Sequence, residues 1–357
     1  MSQALALAKK SQAKARPNPS VGAIVVKDEK IVGKGSHETA GQDHAEVIAL
    51  KDAGLLSKGA DLYVTLEPCN HQGKTPPCTS RIISAGISNV YIAMKDPNPL
   101  VNGLGIEYLK NNGINVISGI MEEEAEKLNL GFINRMIKSR PYIRSKIAIS
   151  LDGKTSLFNG QSQWITSEAS RADVQKWRLK SCGILTGRGT INSDDPSLSV
   201  RTLSLNHQPL RIILDSHLRV KVESKILQQS NVIVFYGADK NLNLTKLKKT
   251  KAEFIKIPLL DKKINLVELM KYLNELEINE LWVEAGPDLN GELLRLGLLD
   301  ELITYTAPYI MGGNANGMFN APILKDMKDK IKLSILDLRS VGEDIRIQTK
   351  IWKKDVD

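Results

Sequence analysis

Asp43-His44-Ala45-Glu46-Val47-Ile48-Ala49-Leu50, with Pro68-Cys69 and Pro77-Cys78 downstream, decides how the first half of this sequence is read. The three pieces supply one imidazole, two thiols and a carboxylate. A histidine and two cysteines form the ligand set of a catalytic zinc site. Imidazole nitrogen binds at roughly 2.0–2.1 Å, thiolate sulfur at about 2.3 Å, and the fourth position goes to water. Bound water has a pKa of about 7. Glu46 stands where a carboxylate can take that water's proton and return it to a leaving group.

His-x-Glu followed by Pro-Cys-x-x-Cys is the signature of zinc enzymes that replace an amine on a pyrimidine or purine ring. This sequence departs from it, because eight residues (70–77) separate Cys69 from Cys78 where the common form has two. They bring His71, Lys74 and Thr75 beside the ligands, groups that suit a phosphorylated substrate. Asp43-His44 reads as a helix start with Gly54 near the end, and Pro76 to Ile83 as a second helix ending at Gly86. Two helix N-termini aimed at one metal favour the thiolate of Cys78. Blander readings stand beside this one. Glu46, three residues after Asp43, fits a capping-box-like start. Cys69 and Cys78 fit ordinary buried thiols, and His71 is an alternative ligand to His44. All the motif residues falling together by accident is the weaker explanation.

The chain has 357 residues, which favours two domains, and its 42% hydrophobic and 25% charged residues are ordinary for a globular protein. Three cysteines exclude a disulfide framework and fit a reducing cytoplasm. No apolar run is long enough to span a bilayer, so no membrane role is expected. The formal charge of +9 permits nucleic-acid binding, but lysines are spread along the chain and aromatics make up only 5%. Stacking platforms for single strands are therefore scarce, and anionic small molecules are the expected partners rather than nucleic acid.

In chain order, residues 2–14 read as an amphipathic helix and 21–32 as two strands. A strand at 62–66 delivers Cys69, and one at 90–94 runs into Asp96-Pro97-Asn98-Pro99. Helices follow at about 104–112 and 121–138, with a short strand at 114–118 between them. Alternating strands and helices indicate an α/β layered domain with its site at strand ends and helix starts. Asn18 and Asn98 each sit in an Asn-Pro loop. Such loops are ordinary turn chemistry, yet two of them near the zinc set point toward base recognition. Lys138-Ser139-Arg140-Pro141 marks a domain boundary. Beyond it, strands are expected at 143–151, 183–187, 211–215, 231–236, 281–284, 301–310 and 333–352, and helices at about 168–181 and 265–276. Thr186-Gly187-Arg188-Gly189-Thr190 and Gly286 to Gly291, between strand and helix, suggest phosphate handling and together favour a nucleotide site.

With these residues assembled, the sequence closely resembles the bifunctional deaminase–reductase of riboflavin biosynthesis, essentially end to end. The motifs that carry the resemblance are Pro17-Asn18-Pro19-x-Val21-Gly22, His44-Ala45-Glu46, Thr65-Leu66-Glu67-Pro68-Cys69, Gly73-Lys74-Thr75-Pro76-Pro77-Cys78, Asp96-Pro97-Asn98-Pro99, Ser150-Leu151-Asp152-Gly153, Ser162-Gln163-Trp164-Ile165-Thr166, Asp194-Asp195-Pro196 and Val283-Glu284-Ala285-Gly286-Pro287. The long Cys–Cys spacing is normal in that family. Lys14-Ala15-Arg16 departs from it, where relatives usually carry a threonine before Pro-Asn-Pro.

The resemblance implies a cytidine-deaminase-like three-layer α/β domain over 1–140 and a dihydrofolate-reductase-like α/β domain over 141–357. The first would deaminate 2,5-diamino-6-(5-phosphoribosylamino)pyrimidin-4(3H)-one with zinc on His44, Cys69 and Cys78 and Glu46 shuttling protons. Asn18, His71, Lys74 and Asn98 would meet substrate. The second would reduce the ribosyl group to ribityl with NADPH. Cofactor contacts would fall at Ala148, Trp164, Thr190, Asp194, Ser216, Gly286, Pro287, Asp288, Leu289, Asn290 and Gly291. Substrate contacts would fall at Ser162, Arg178, Leu198, Arg201 and Glu284, with Arg178 and Arg201 as phosphate clamps. Trp164 fits a core position equally well. Lys146 is the expected group for polarising the reacting carbon. A cytoplasmic homo-oligomer, associated through the reductase domain, is expected. The competing reading is a nucleic-acid base deaminase with a C-terminal RNA-binding domain, which the long inter-cysteine loop and scarce aromatics disfavour.

Overall fold

Gly22-Ala-Ile-Val-Val-Lys27 forms strand β1, a run whose β-branched side chains suit a pleated, buried surface. The computed structural model describes residues 1–71, 76–99, 101–201, 208–239, 243–321 and 323–352. It divides between Arg140 and Pro141 into two compact units.

In the first unit, helix α1 (Ser2–Ser11) precedes β1, and β2 (Lys30–Ser36) returns antiparallel to it. Helix α2 (Ala45–Ala53) leads to β3 (Asp61–Leu66), which pairs antiparallel with β1. Helix α3 (Cys78–Ser84), β4 (Asn89–Met94), α4 (Leu104–Asn111) and β5 (Asn115–Ser118) follow, with β3, β4 and β5 parallel. The sheet order is β2-β1-β3-β4-β5. Helices cover both faces. A Cβ on Gly22 would come within 2.1 Å of the Ala4 carbonyl in α1, and one on Gly35 within 2.0 Å of the Ala45 carbonyl in α2. Ala23, opposite Gly35, lies next to Gly22 in β1 and so points to the other face. Leu62, Val64, Val90 and Ile92 are fully buried between the layers. Each such side chain contributes about 1.5–3 kcal/mol of transfer free energy.

The sequence suggests one helix over 121–138, but there are two, α5 (Glu122–Leu128) and α6 (Leu130–Lys138). Asn129 breaks the run with φ −121° and ψ 21°. Its buried carboxamide accepts from the Ser20 N–H (2.8 Å) and donates to the Ser20 carbonyl (3.1 Å). A tertiary clamp on the Pro17–Val21 loop outweighs helical continuity here.

The second unit begins with β6 (Tyr142–Ser150) and the short β7 (Lys154–Ser156). Helix α7 (Glu168–Lys180), capped by the Ser167 hydroxyl, precedes β8 (Gly183–Gly187) and helix α8 (Arg188–Asp194). Strands β9 (Leu210–Leu214) and β10 (Val232–Tyr236), helix α9 (Leu244–Leu247) and strand β11 (Glu253–Lys256) come next. A small hairpin of β12 (Leu259–Leu260) and β13 (Lys263–Ile264) leads to α10 (Leu266–Glu275), capped by Asn265. Strand β14 (Glu280–Val283), helix α11 (Pro287–Arg295) and β15 (Glu301–Ala307) follow. The short β16 (Asn316–Gly317) pairs with β7, and β17 (Leu333–Val341) and β18 (Asp344–Ile351) end the unit.

The large sheet runs β11-β10-β9-β8-β14-β6-β15-β18-β17, parallel from β11 to β15 and antiparallel thereafter. Residues 333–352, expected as strand from sequence, make a hairpin of β17 and β18, because Gly342 turns the chain at φ +62°. Burial on both faces of the central strands explains their near-continuous apolar sequence. Phe235, Trp282, Ile303 and Tyr305 are fully buried. No helix among the described residues is long and apolar enough to cross a membrane.

Candidate functional site

His44 is the residue that caps α2, in extended conformation at φ −75° and ψ 163°. The capping-box reading of Asp43 and Glu46 therefore falls, since the helix starts one residue later than that motif needs and carries no side-chain cap. Glu46 lies in the first turn and is 3% exposed. Cys69 follows the end of β3, and Cys78 opens α3. Their order is held by Thr79, whose N–H donates to the Cys69 carbonyl (3.2 Å) and whose hydroxyl donates to Asn70 Oδ1 (2.7 Å).

His44 Nδ1 lies 3.2 Å from Cys78 Sγ and 3.6 Å from Cys69 Sγ, and the three ligand atoms sit within 4.8 Å of one another. Tetrahedral zinc with these bond lengths separates nitrogen from sulfur by roughly 3.5 Å, so the donor set fits the ion. His71 is exposed and stands outside the cluster, so His44 is the imidazole of the set. The hydrogen bond from Cys78 brings the Cys69 thiol down to about 4. The same bond, with burial, pushes Cys78 up. The two sulfurs thus share one proton, and the pair titrates as a unit. Burial raises Glu46 to about 7 against the pull of His44, and its carboxyl is near enough to Cys78 to hydrogen-bond it.

Two residues to which the sequence reading gives no role organise this site. Glu67, 3% exposed, accepts the N–H groups of Asp96 and Gly103 at Oε2 (3.2 and 2.9 Å). At Oε1 it accepts those of Gly105 and Ile106 (2.9 and 3.2 Å). It thereby caps α4 and ties the Asn98 loop to the strand that delivers Cys69. Burial lifts Asp96 to about 6, and its Oδ1 accepts the Asn98 N–H at 2.8 Å. The second residue is His37, 2% exposed, whose Nε2 lies 2.9 Å from Asn18 Nδ2 and whose ring meets His44 edge-on at 5.3 Å. Neither position carries a spacing signal, because both act through contacts distant in sequence. Lys74 lies outside the described residues.

In the second unit, a charged cluster gathers at the carboxyl ends of parallel strands, where open α/β sheets bind ligands. Lys146 and Ala148 share one face of β6, two residues apart. Glu284 follows β14, and Asp194 closes α8. Arg178 is buried, and its fork is committed: Nε and Nη2 bind Glu284 at 2.6 and 3.0 Å, and Nη1 binds the Ser199 carbonyl at 3.0 Å. It is not the free phosphate clamp expected from sequence. Burial raises Glu284, but Arg178 and then Lys146 outweigh it and hold the carboxyl at about 2. Burial and then Arg178 lower Lys146, against Glu284 and Asp194.

Ser162 donates to Asp194 at 3.4 Å, and Thr190 lies in α8 beside it. Ser216, past β9, accepts from the Ile264 N–H at its hydroxyl and from Gly237 and Ala238 at its carbonyl. Trp164 is 69% exposed with the Arg171 guanidinium over its ring at 4.6 Å, so it is a surface residue and not a core one. Leu198 is buried at φ +49°, and Arg201 is exposed.

Gly286 is the cap of α11, which opens at Pro287, so residues 287–291 are helical. A Cβ on Gly187, Gly189 or Gly286 would meet nothing within 4 Å, so the backbone is open at these strand ends. Asn290 and Gly291 face inward. The Asn290 carboxamide binds Ser145 and Ala285, and a Cβ on Gly291 would meet the Asn320 carbonyl at 2.2 Å.

Residues 1–94 match the family model for the cytidine and deoxycytidylate deaminase zinc-binding region, and residues 141–347 match that for the RibD C-terminal domain. The riboflavin biosynthesis protein RibD of Escherichia coli K12 is 43% identical, over 97% of this chain and 96% of its own length. Its counterpart from Aquifex aeolicus is 44% identical over 97% and 96%. Among solved structures, Acinetobacter baumannii RibD (form 1) superposes with a TM-score of 0.90 at 40% identity, covering 99% of this chain and 98% of that one. The diaminohydroxyphosphoribosylaminopyrimidine deaminase/5-amino-6-(5-phosphoribosylamino)uracil reductase of Thermotoga maritima gives 0.87 at 34% identity, covering 99% and 97%. With matches this complete in both units, the chain belongs to the RibD family of riboflavin biosynthesis.

Proposed function

We propose that the family's two reactions are divided between the two units, with deamination over residues 1–140 and reduction over 141–357. The protein is a bifunctional enzyme. It deaminates 2,5-diamino-6-(5-phosphoribosylamino)pyrimidin-4(3H)-one, releasing ammonia, then reduces the ribosyl group to give 5-amino-6-(5-phosphoribitylamino)uracil. Zinc and NADPH are its cofactors.

The observation that carries the deaminase assignment is the His44–Cys69–Cys78 cluster with Glu46 buried beside it. His44 Nδ1 and the two thiolates would hold zinc, which would supply hydroxide at neutral pH. Glu46 takes the proton of the attacking water and hands it to the departing amine, a transfer worth about 10²–10⁴ in rate. Asn18 and Asn98 orient the ring, and His71 and Lys74 meet the phosphate.

In the reductase unit, NADPH would supply the hydride. Ala148, Trp164, Thr190, Asp194, Ser216 and the Gly286–Leu289 helix start line its groove. Asn290 and Gly291 support that start from within. Lys146 is held half-buried among Glu284, Arg178 and Asp194, and donates a hydrogen bond or proton to the ribose ring oxygen as its bond to the reacting carbon breaks. Glu284, with Arg178 fixing its orientation, accepts from substrate hydroxyls. Ser162 and Leu198 line the ribose, and Arg201, which is exposed, meets the phosphate.

The partner is a phosphorylated pyrimidine and not nucleic acid, and the setting is the cytoplasm. Association into a homo-oligomer through the reductase unit is supported by edge strand β17, where Ile335, Leu336 and Leu338 are exposed. A long apolar sheet edge invites pairing. Light scattering should show a smaller particle for Ile335→Lys/Leu338→Lys; an unchanged mass would refute this interface. The test of the division itself is kinetic: each variant in one unit should silence one reaction only.

A further inference from the structure

The deaminase unit contains a buried imidazole that binds neither metal nor any group the reaction consumes. His37 Nδ1 lies 3.1 Å from the Asp43 carbonyl, and its Nε2 lies 2.9 Å from Asn18 Nδ2. We propose that His37 is a positioning residue that fixes Asn18 as a hydrogen-bond acceptor toward the pyrimidine. The site thereby selects a ring edge carrying an N–H donor. This rests on the reading that Asn18 faces the pyrimidine.

The argument runs through donors and acceptors. A carbonyl only accepts, so the Asp43 oxygen requires the proton on Nδ1. A neutral ring then presents a lone pair at Nε2, and that lone pair requires an N–H from Asn18. The amide is therefore set with Nδ2 toward His37 and Oδ1 away from it. The flipped amide would bring two lone pairs together at 2.9 Å. The ring is 2% exposed and its two nitrogens meet a backbone carbonyl and a neutral amide, surroundings in which a charged imidazolium is costly.

Nothing else needs setting. The Asn18 N–H donates to the Ala15 carbonyl (3.0 Å), and Ser20 is clamped by Asn129. The His37 N–H donates to the Val21 carbonyl (3.0 Å). The loop is fixed on both sides, and rotation of the amide is the remaining freedom. The charged and titratable groups facing the imidazole are His44 and, through its carbonyl, Asp43.

The consequence is chemical. A pyrimidin-4(3H)-one carries a donor at its ring amide N–H, which suits Oδ1. A cytosine ring carries a lone pair at the equivalent nitrogen and would be repelled. Sites built to hydrogen-bond a substrate group reject analogues that lack it.

The test uses the full zinc-loaded chain. Two-bond 1H–15N correlations of the wild-type protein should show His37 protonated at Nδ1. Protonation at Nε2 alone would overturn the proposal without recourse to any variant. In ammonia release, His37→Phe should raise KM about tenfold, the effect of one neutral hydrogen bond. Zinc content and NADPH oxidation on supplied deaminated intermediate should stay unchanged. His37→Gln, which places an oxygen near the Nε2 position, should recover most of that loss.

Asn18→Asp offers an acceptor on both sides. It should raise KM on the wild-type background, where an oxygen meets the Nε2 lone pair, and lower it on His37→Phe. That reversal of sign is specific to orientation. The same sign on both backgrounds would overturn the role of His37 while ammonia release by the wild type leaves the deaminase reading intact. No ammonia from the wild type would remove that reading and this proposal with it.

Discussion

The Arg178 guanidinium grips the Glu284 carboxylate across 106 residues of sequence, at 2.6 Å from Nε to Oε1 and 3.0 Å from Nη2 to Oε2. Trp282 Nε1 adds a third donor at 3.0 Å to Oε1. The pair brings two rigid strand and helix positions to one point, close enough to Lys146 for both charges to act on its ammonium. Glu284 is thereby anionic and oriented before substrate arrives.

Breaking this pair from one side strands a buried charge. Arg178→Ala should destabilise the reductase unit by about 3–5 kcal/mol, read by denaturant unfolding of the full chain. Arg178→Met/Glu284→Gln should cost less than Arg178→Ala alone. The pH dependence has a definite sign. Glu284 sits at about 2 when folded, below its ordinary 4.5. Its contribution is therefore present above about 4.5 and is lost as pH falls towards 2. Glu284→Gln should flatten that acid limb; an unchanged limb would remove Glu284 as its source.

Glu46→Gln keeps the shape of the α2 start and removes the proton carrier. Zinc content should hold while ammonia release falls by about 10²–10⁴. NADPH oxidation on supplied deaminated intermediate should persist. Full ammonia release would take Glu46 out of the mechanism.

Cys78→Ser replaces a thiolate ligand with a hydroxyl that binds zinc weakly. Elemental analysis should show lowered metal, and chelation of the wild type should likewise abolish ammonia release but spare reduction. Unchanged zinc in Cys78→Ser would sink the ligand assignment.

Lys146→Met should lower kcat for reduction by about 10²–10³, the scale of one preorganised donor at developing charge, with NADPH binding retained by fluorescence. Arg201→Ala should raise KM in reduction and leave deamination alone. An equal loss of both activities in either variant would contradict the division between units.

The metal site was legible because zinc chemistry restricts residue type and because His44, Glu46, Cys69 and Cys78 each lie at an element boundary with its own local signal. The strands were legible from apolar runs such as Val232–Tyr236. What was hidden depends on partners far along the chain. Arg178 reads as a free phosphate clamp until Glu284 is placed against it. Asn129 reads as mid-helix until Ser20 claims its amide. His37 and Glu67 have no periodicity to betray them, since one orients a side chain and the other gathers four backbone N–H groups. Gly286 to Gly291 reads as the opening of a helix, as it is, but the close approach of Gly291 to Asn320 has no local signal.

The central claim is that one chain performs both steps at separate sites and in a fixed order. The most direct measurement follows ammonia release and NADPH oxidation together, from the diaminopyrimidinone phosphate and zinc-loaded protein, with and without NADPH. The account predicts ammonia in both conditions and NADPH oxidation only after deamination. NADPH oxidation that precedes ammonia release, or ammonia release that requires NADPH, would contradict it.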